Sequence, residues 1–85
     1  MWRVIFSKEA EKDFSKIDKT IREKILKSIK EKLVKNPDIY LKNLKGNKKE
    51  LLKFVVGKYR VLCIKEEERL VIVVVEVGHR KEVYR

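Results

Sequence analysis

The chain has 85 residues and a formal net charge of +10, with 23 Lys and Arg against 13 Asp and Glu. This length predicts one domain over residues 1–85, and a single cysteine excludes an internal disulfide. No apolar run approaches the roughly 20 residues that cross a bilayer, and the charged residues close to the N-terminus exclude a secretory signal peptide. We therefore expect a cytoplasmic protein that does not bind membranes.

The excess of positive charge predicts a polyanionic partner, such as nucleic acid, the ribosome or an acidic protein. The composition has a second explanation, because abundant Lys, Glu and Ile without any Gln is typical of hyperthermophile proteins. A lysine-rich surface also aids solubility. Charge therefore favours a nucleic-acid partner without deciding for one.

The start of the chain predicts a strand followed by a short helix. Residues 2–6 alternate between two faces, as a strand does. Ser7 is a suitable N-cap, and Glu9 and Glu11 fall in the first turn, where the helix dipole favours carboxylates. The apolar stripe of this helix consists of Ala10, Phe14 and Ile17. One face of the helix should therefore be buried.

A second, longer helix is predicted next. Thr20 and Glu23 have the spacing of a capping box. The expected buried stripe consists of Ile21, Ile25, Leu26, Ile29 and Leu33. Pro37 should end the helix, because the residue before a proline avoids the α region. We expect a looser segment over residues 38–49.

Three strands are predicted in the second half of the chain. Residues 50–56 and 59–64 flank Gly57, which suits the first position of a two-residue type II′ turn. The third run, residues 70–77, starts with six consecutive apolar residues, a pattern typical of a strand covered on both faces. The order β-α-α-β-β-β predicts an α+β fold, with two N-terminal helices on one face of a mostly antiparallel four-stranded sheet.

Several classes of site are excluded by residue type. One His and one Cys cannot form a Cys/His zinc site, and the three glycines are isolated, so there is no phosphate-binding glycine loop. Cys63, between Leu62 and Ile64 in a predicted strand, has the setting of a buried packing residue rather than a nucleophile. We expect neither a metal nor a cofactor.

What remains is a group of cations around a tyrosine. Arg60 starts one predicted strand, and His79, Arg80 and Tyr84 follow the next. Adjacent antiparallel strands bring the start of one beside the end of the other, so Arg60 should lie near the Gly-His-Arg stretch. Lys53 reaches the same end if its side chain points to the face that the helices leave open.

This set of side chains suits a phosphodiester. Arginine binds phosphate oxygens in a bidentate manner and stabilises the charge of a pentavalent transition state. RNA supplies its own nucleophile, the ribose 2′-OH, so the protein needs only a base, an acid and charge stabilisation. Each residue also has a simpler explanation: Arg60 as a surface ion-pair partner, Arg80 as a solvated tail residue and Tyr84 as a packing anchor. Residue types alone leave both explanations open.

The order and spacing of several short phrases resemble those of a known family. The phrases are VGKYRVL at 56–62, VGHRKEVY at 77–84, FSKEA at 6–10, DF at 13–14 and LKG at 44–46. Together they make the chain similar to the RelE branch of the RelE/ParE toxins of toxin–antitoxin modules. The resemblance covers essentially the whole chain.

The resemblance implies a toxin that cuts messenger RNA in the ribosomal A site and is held inactive by a cognate RelB-like antitoxin. It also implies metal-free cleavage by attack of the 2′-OH, which leaves a 2′,3′-cyclic phosphate and a 5′-hydroxyl. The implied partners are the ribosome, mRNA and an antitoxin that adds a helix or strand to the toxin, which makes a hetero-oligomer.

The resemblance also assigns roles to residues. The transition-state arginine of the family falls on Arg60, its acid or charge-stabilising arginine on Arg80, and the tyrosine proposed as base on Tyr84. His79 is an additional acid/base candidate. The residues expected to bind RNA or phosphate are Lys53, Lys58, Lys81 and Arg85.

Two departures and two alternatives accompany the resemblance. Many relatives carry an arginine where this chain has Val55, and some have a longer tail than the one that stops at Arg85. The alternatives are a ParE-like toxin that poisons DNA gyrase without ribonuclease chemistry, and a catalytically inactive basic module that binds RNA or the ribosome. The retained Arg60, Arg80 and Tyr84 favour the endoribonuclease.

Overall fold

A computed structural model describes residues 1–43 and 51–79 of the chain. In chain order these residues form β1 Arg3–Phe6, α1 Lys8–Ser15, α2 Lys19–Ser28, a π-helical turn Ile29–Leu33, α3 Pro37–Tyr40, β2 Lys42–Asn43, β3 Leu52–Val56, β4 Tyr59–Glu66 and β5 Val71–His79. No helix in this part of the chain is long and apolar enough to cross a membrane.

The strands form one mixed sheet in the order β1-β5-β4-β3-β2. β5 lies inside the sheet, as its unbroken apolar run predicts, and pairs antiparallel with β4. β1 pairs parallel with β5, with Arg3 beside Val71. Parallel pairing needs a long connection, and the helices lie within the connection here. The predicted α+β class is confirmed, whereas the predicted number of four strands is wrong.

The additional strand and helix are too short for a periodic pattern to reveal. β2 has two residues: Lys42 pairs with Lys53, and Asn43 pairs with Leu52. Two polar residues show no alternation between faces. α3 is a single turn that begins with Pro37, whose fixed φ suits the start of a helix. The segment expected to be loose therefore contains a helical turn and an edge strand.

Side-chain caps fix the starts of α1 and α2. The Ser7 hydroxyl accepts a hydrogen bond from the N–H of Ala10 at 3.1 Å, which confirms the predicted N-cap. At α2 the carboxylate of Asp18 accepts from the N–H of Thr20 at 3.1 Å. The predicted capping box of Thr20 and Glu23 is wrong, because Asp18 caps the helix two residues before the expected N-cap.

The core lies between the helices and one face of the sheet. Its buried residues are Ala10, Ile25, Ile29, Leu33, Leu41, Phe54, Val61, Cys63, Ile72, Val74 and Val77. The predicted stripe of α2 is confirmed at Ile25, Ile29 and Leu33 and is wrong at Leu26, which is 39% exposed. Leu26 follows Ile25 directly, so it is rotated by about 100° around the helix and leaves the buried face.

Two turns connect the last three strands. Gly57 has φ +59° while Lys58 keeps a negative φ, the combination of signs in the predicted type II′ turn. Leu70 has φ +53°, in the left-handed region, and belongs to the turn between β4 and β5. The last strand therefore starts at Val71 rather than at Leu70, because reversing the chain requires a left-handed residue at this place.

Candidate functional site: the Arg60 face and the end of β5

Pleating gives the sheet two faces, and the helices pack on one of them. Phe54, Val61 and Val77 pair across three strands and belong to the core on the helix side. Adjacent positions project to the other face, which we call the Arg60 face. This face carries Lys53, Val55, Arg60, Leu62, Glu76 and Gly78. Lys53 and Arg60 thus share the face that the predicted site requires.

A β-bulge in β5 determines the register at the end of the strand. Leu62 pairs with Glu76, whereas the next residue, Cys63, pairs with Val74, so Val75 has no partner on β4. One extra residue on one strand shifts every later pair by one position. The face on which each residue after the bulge projects is therefore set by this single insertion.

Past the bulge, Arg60 lies opposite Gly78 on β5 and opposite Val55 on β3. The predicted approach of Arg60 to the last part of β5 is confirmed. Glycine has no side chain, so β5 places none on the Arg60 face at this position. Lys53 pairs with Leu62, which makes Lys53 a diagonal neighbour of Arg60 on the same face. Two cations therefore converge beside a glycine.

His79 projects from the sheet on the side opposite to Arg60. It pairs with Tyr59, and the two rings meet edge-on with their centroids 5.6 Å apart. Tyr59 packs against the core on the helix side. The structure therefore places the imidazole beside the Tyr59 ring and separates it from the guanidinium by the thickness of the sheet.

The remaining predicted site residues fall into two groups. Lys58 is exposed in the turn between β3 and β4, at the same end of the sheet as the end of β5. Arg80, Lys81, Tyr84 and Arg85 lie outside the described residues. Of the predicted site, the structure thus positions Lys53, Lys58, Arg60 and His79.

Two carboxylates near the site are not among the residues predicted from the sequence. Glu76 projects on the Arg60 face, diagonal to Arg60, because the bulge turns it to that side. Its signal in the sequence is that it interrupts the apolar run of β5. Asp13 on α1 accepts a hydrogen bond from the backbone N–H of Val77 at 3.2 Å. No local pattern signals this contact, because 64 residues separate the two partners.

The chemistry available at this end of the sheet is cationic. Within residues 1–43 and 51–79, no group of three or more His, Cys, Asp or Glu side chains is arranged to hold a metal ion. Burial raises the pKa of Cys63 to about 12, so the thiol stays protonated at neutral pH. Arg60 and Lys53 are suited to bind a phosphate group and to stabilise developing negative charge on its oxygens.

Residues 4–84 match the family model described as the ParE toxin of the type II toxin–antitoxin system. The chain belongs to this toxin family. The resemblance to the RelE/ParE toxins is thereby confirmed, and the molecule is a toxin of a toxin–antitoxin module. A search of curated proteins found no match.

Solved structures of RelE toxins share the fold of this toxin. The isolated E. coli RelE toxin is 28% identical, with 99% of this chain and 92% of that chain covered and a TM-score of 0.77. A chain of the RelB–RelE complex from Methanococcus jannaschii is 27% identical, with 94% of each chain covered and a TM-score of 0.69. A chain of the RelBE2 complex from Mycobacterium tuberculosis, 24% identical, has a TM-score of 0.85 over 93% of this chain and 91% of that one, which supports the fold alone.

Proposed function

We propose that this toxin is an endoribonuclease that cleaves messenger RNA in the ribosomal A site. The observation that carries the proposal is the position of Arg60, which shares a face with Lys53 and lies opposite Gly78 at the end of β5. Side chains mounted on paired strands hold a phosphodiester more precisely than side chains on loops. The family resemblance adds the ribosome and mRNA as the substrate.

The proposed reaction uses the 2′-OH of the ribose that precedes the scissile phosphate. A base removes the 2′-OH proton, the 2′ oxygen attacks phosphorus, and the 5′ oxygen leaves with a proton from an acid. The products are a 2′,3′-cyclic phosphate and a 5′-hydroxyl. Arg60 stabilises the added charge on the phosphate oxygens. On the resemblance, we assign Tyr84 as the base and Arg80 as the acid or charge stabiliser.

The other cations have supporting roles in this proposal. Lys53 and Lys58 bind phosphates that flank the scissile one, together with Lys81 and Arg85 on the resemblance. His79 remains an acid/base candidate by its place in the sequence. Its ring contact with Tyr59 on the helix side suits a role in fixing the end of β5 better than a role at the phosphate.

We propose a RelB-like antitoxin as the partner that holds the toxin inactive in the cytoplasm. The solved structures from Methanococcus jannaschii and Mycobacterium tuberculosis are complexes of a toxin with an antitoxin. Exposed apolar side chains such as Ile5 and Leu26, which line one groove with Phe14, give such a partner apolar surface to cover. An antitoxin that fails to copurify with the toxin would contradict this pairing.

One observation favours a second function, because the family model that matches is the one described for ParE. In this alternative, the toxin poisons DNA gyrase by binding and performs no RNA chemistry. The cationic Arg60 face would then contact the enzyme or its DNA. A catalytically inactive module that binds RNA or the ribosome is the third outcome to separate.

Transcript mapping in a purified translation system tests these functions together. Wild-type toxin should cut a defined mRNA at a fixed codon position and leave 5′-hydroxyl ends. Arg60→Ala should lower the cleavage rate by about 100- to 1,000-fold. Arg69→Ala is the matched control, because it removes the same charge from a side chain that is 70% exposed in the turn between β4 and β5. This control should cleave at the wild-type rate.

Each alternative predicts a different result in this system. Wild-type rates for Arg60→Ala would contradict the assigned site. Arrest of gyrase supercoiling without any new transcript ends would establish the ParE-like function. Binding to ribosomes with neither effect would indicate the inactive module.

A further inference from the structure

On the side away from β4, the end of β5 beyond the bulge is held by α1 rather than by a strand. β1 ends at Phe6, beside Val74, so it does not accompany β5 past the bulge. Ser7 continues the contact: its N–H donates to the Val74 carbonyl at 2.9 Å, and its hydroxyl donates to the Val75 carbonyl at 3.4 Å. The start of α1 is therefore anchored at the bulge itself.

Asp13 extends this anchor along the edge of β5. Its carboxylate is half-buried and accepts a hydrogen bond from the N–H of Val77 at 3.2 Å. An ionised acceptor makes a stronger hydrogen bond to a backbone N–H than a neutral acceptor does. Val77 directly precedes Gly78, so the bond fixes the position that lies opposite Arg60.

The effect of the bulge becomes clear when the observed register is compared with the register of a strand without a bulge. If the same chain paired without a bulge at Val75, the register of the first half of β5 would continue unchanged. Arg60 would then face Val77 instead of Gly78. A valine side chain would then stand beside the guanidinium, and Gly78 would turn to the helix side. The bulge thus places a glycine, rather than a valine, opposite Arg60.

We infer that Asp13 is a positioning residue of the Arg60 site: its bond to the Val77 N–H holds the bulged register and keeps Gly78 opposite Arg60. This inference rests on the proposed function and adds to it a residue from the helix layer. Its effect on the reaction is geometric, because a misplacement of about 1 Å at a reacting centre costs up to about 100-fold in rate.

Three variants separate positioning from general stability. Asp13→Ala removes the acceptor, whereas Asp13→Asn keeps a neutral carbonyl acceptor of the same size. Asp18→Ala is the matched control, because Asp18 also accepts one backbone N–H, that of Thr20 at 3.1 Å, but this bond lies within its own helix. Each full-length variant is assayed for mRNA cleavage in the translation system and for amide hydrogen exchange by NMR.

Asp13→Ala should lower kcat by about 10- to 100-fold with little change in KM, and the Val77 amide should exchange about 10-fold faster. Asp13→Asn should restore most of both properties, and Asp18→Ala should leave both unchanged. Because Asp13 acts through Arg60, adding Asp13→Ala to Arg60→Ala should cause no further loss.

Two results would overturn the inference: equal cleavage rates for Asp13→Ala and Asp18→Ala, or unmoved Val77 and Gly78 amide signals in Asp13→Ala. A wild-type toxin that cuts no RNA would refute the proposed function separately. In that case the amide signals of Val77 and Gly78 alone test whether Asp13 holds the register. Displaced signals support this part of the inference, and unmoved signals reject it.

Discussion

Two cations on the same strand, Arg60 and Lys65, differ in what surrounds them. Their positions on β4 differ by five, an odd number, so they project to opposite faces of the sheet. Lys65 projects to the helix side, is 17% exposed and forms ion pairs with Asp38 and Glu67. The cross-strand neighbours of Arg60 are a valine and Gly78.

The difference shows that the net charge combines cations in different surroundings. The ammonium group of Lys65 also lies 5.9 Å from the centre of the Trp2 ring, and the hydrogen bond to Asp38 raises its pKa. Lys65 thus joins β4 to α3 and to Trp2, the residue before β1. A cation held by carboxylates in this way supports the fold, whereas Arg60 projects to the other face of the sheet, opposite a glycine.

Replacing Arg60 with lysine tests the functional side of this comparison with the largest expected effect. Arg60→Lys keeps the charge but loses the planar fork that binds two phosphate oxygens together. We expect kcat for mRNA cleavage to fall about 100-fold, with the same Tm. The reciprocal control, Lys65→Arg on the other face, should cleave normally. Full activity in Arg60→Lys would show that charge alone suffices at this position.

Adding a side chain opposite Arg60 should have a smaller effect. Gly78→Val adds a side chain to β5 on the same face as the guanidinium, and kcat should fall about 10-fold, equivalent to about 1.4 kcal/mol in the barrier. Gly78→Ala should lie between this variant and the wild type, and circular dichroism reports whether either one unfolds. Val73→Ile adds a methylene to the same strand and face before the bulge and serves as the control. If Gly78→Val cleaves at the wild-type rate, the reaction does not depend on a glycine opposite Arg60.

The ion pair of Lys65 should give the smallest effect, and only on stability. Because the folded-state pKa of Lys65 lies above its ordinary value of 10.5, the pair contributes fully below pH 10.5 and loses its contribution as the pH rises through the raised pKa. Asp38→Asn should cost less than about 1 kcal/mol near pH 7, since Asp38 is 81% exposed, and should leave cleavage unchanged. Thermal unfolding across this pH range measures the difference. If the difference in unfolding free energy between the wild type and Asp38→Asn grew at alkaline pH, this account would be contradicted.

Strand order was enough to predict much of the arrangement around Arg60. The apolar run predicted that β5 lies inside the sheet, and antiparallel order then placed Arg60 beside the end of that strand. Because side chains alternate between the two faces of a strand, Lys53 and Val55 were predicted to share one face of β3, as the structure shows. These predictions succeeded because they depend on order and alternation, which the sequence displays directly.

The register between β4 and β5 could not be predicted from the sequence, and this register decides which residues lie beside Arg60. Consecutive apolar residues fit either face of a sheet equally well, so nothing in the sequence marks Val75 as the unpaired residue. For the same reason His79 was expected close to Arg60, although the structure places it on the helix side with Tyr59. The bond from Asp13 to Val77 depends on the folded arrangement of α1 against β5 and has no local signature.

The central place of β5 in the sheet has a consequence for synthesis of the toxin. β1, the helices and the hairpin of β3 and β4 all leave the ribosome before β5 does, and the bond from the Ser7 N–H to the Val74 carbonyl joins sequence-distant ends of the fold. In a nascent chain, β1 and the hairpin of β3 and β4 therefore cannot join one sheet until β5, which lies between them, has been translated. A product cut short before residue 71 would lack the strand that lies between β1 and β4, so it would have neither a continuous sheet nor the Gly78 neighbour of Arg60.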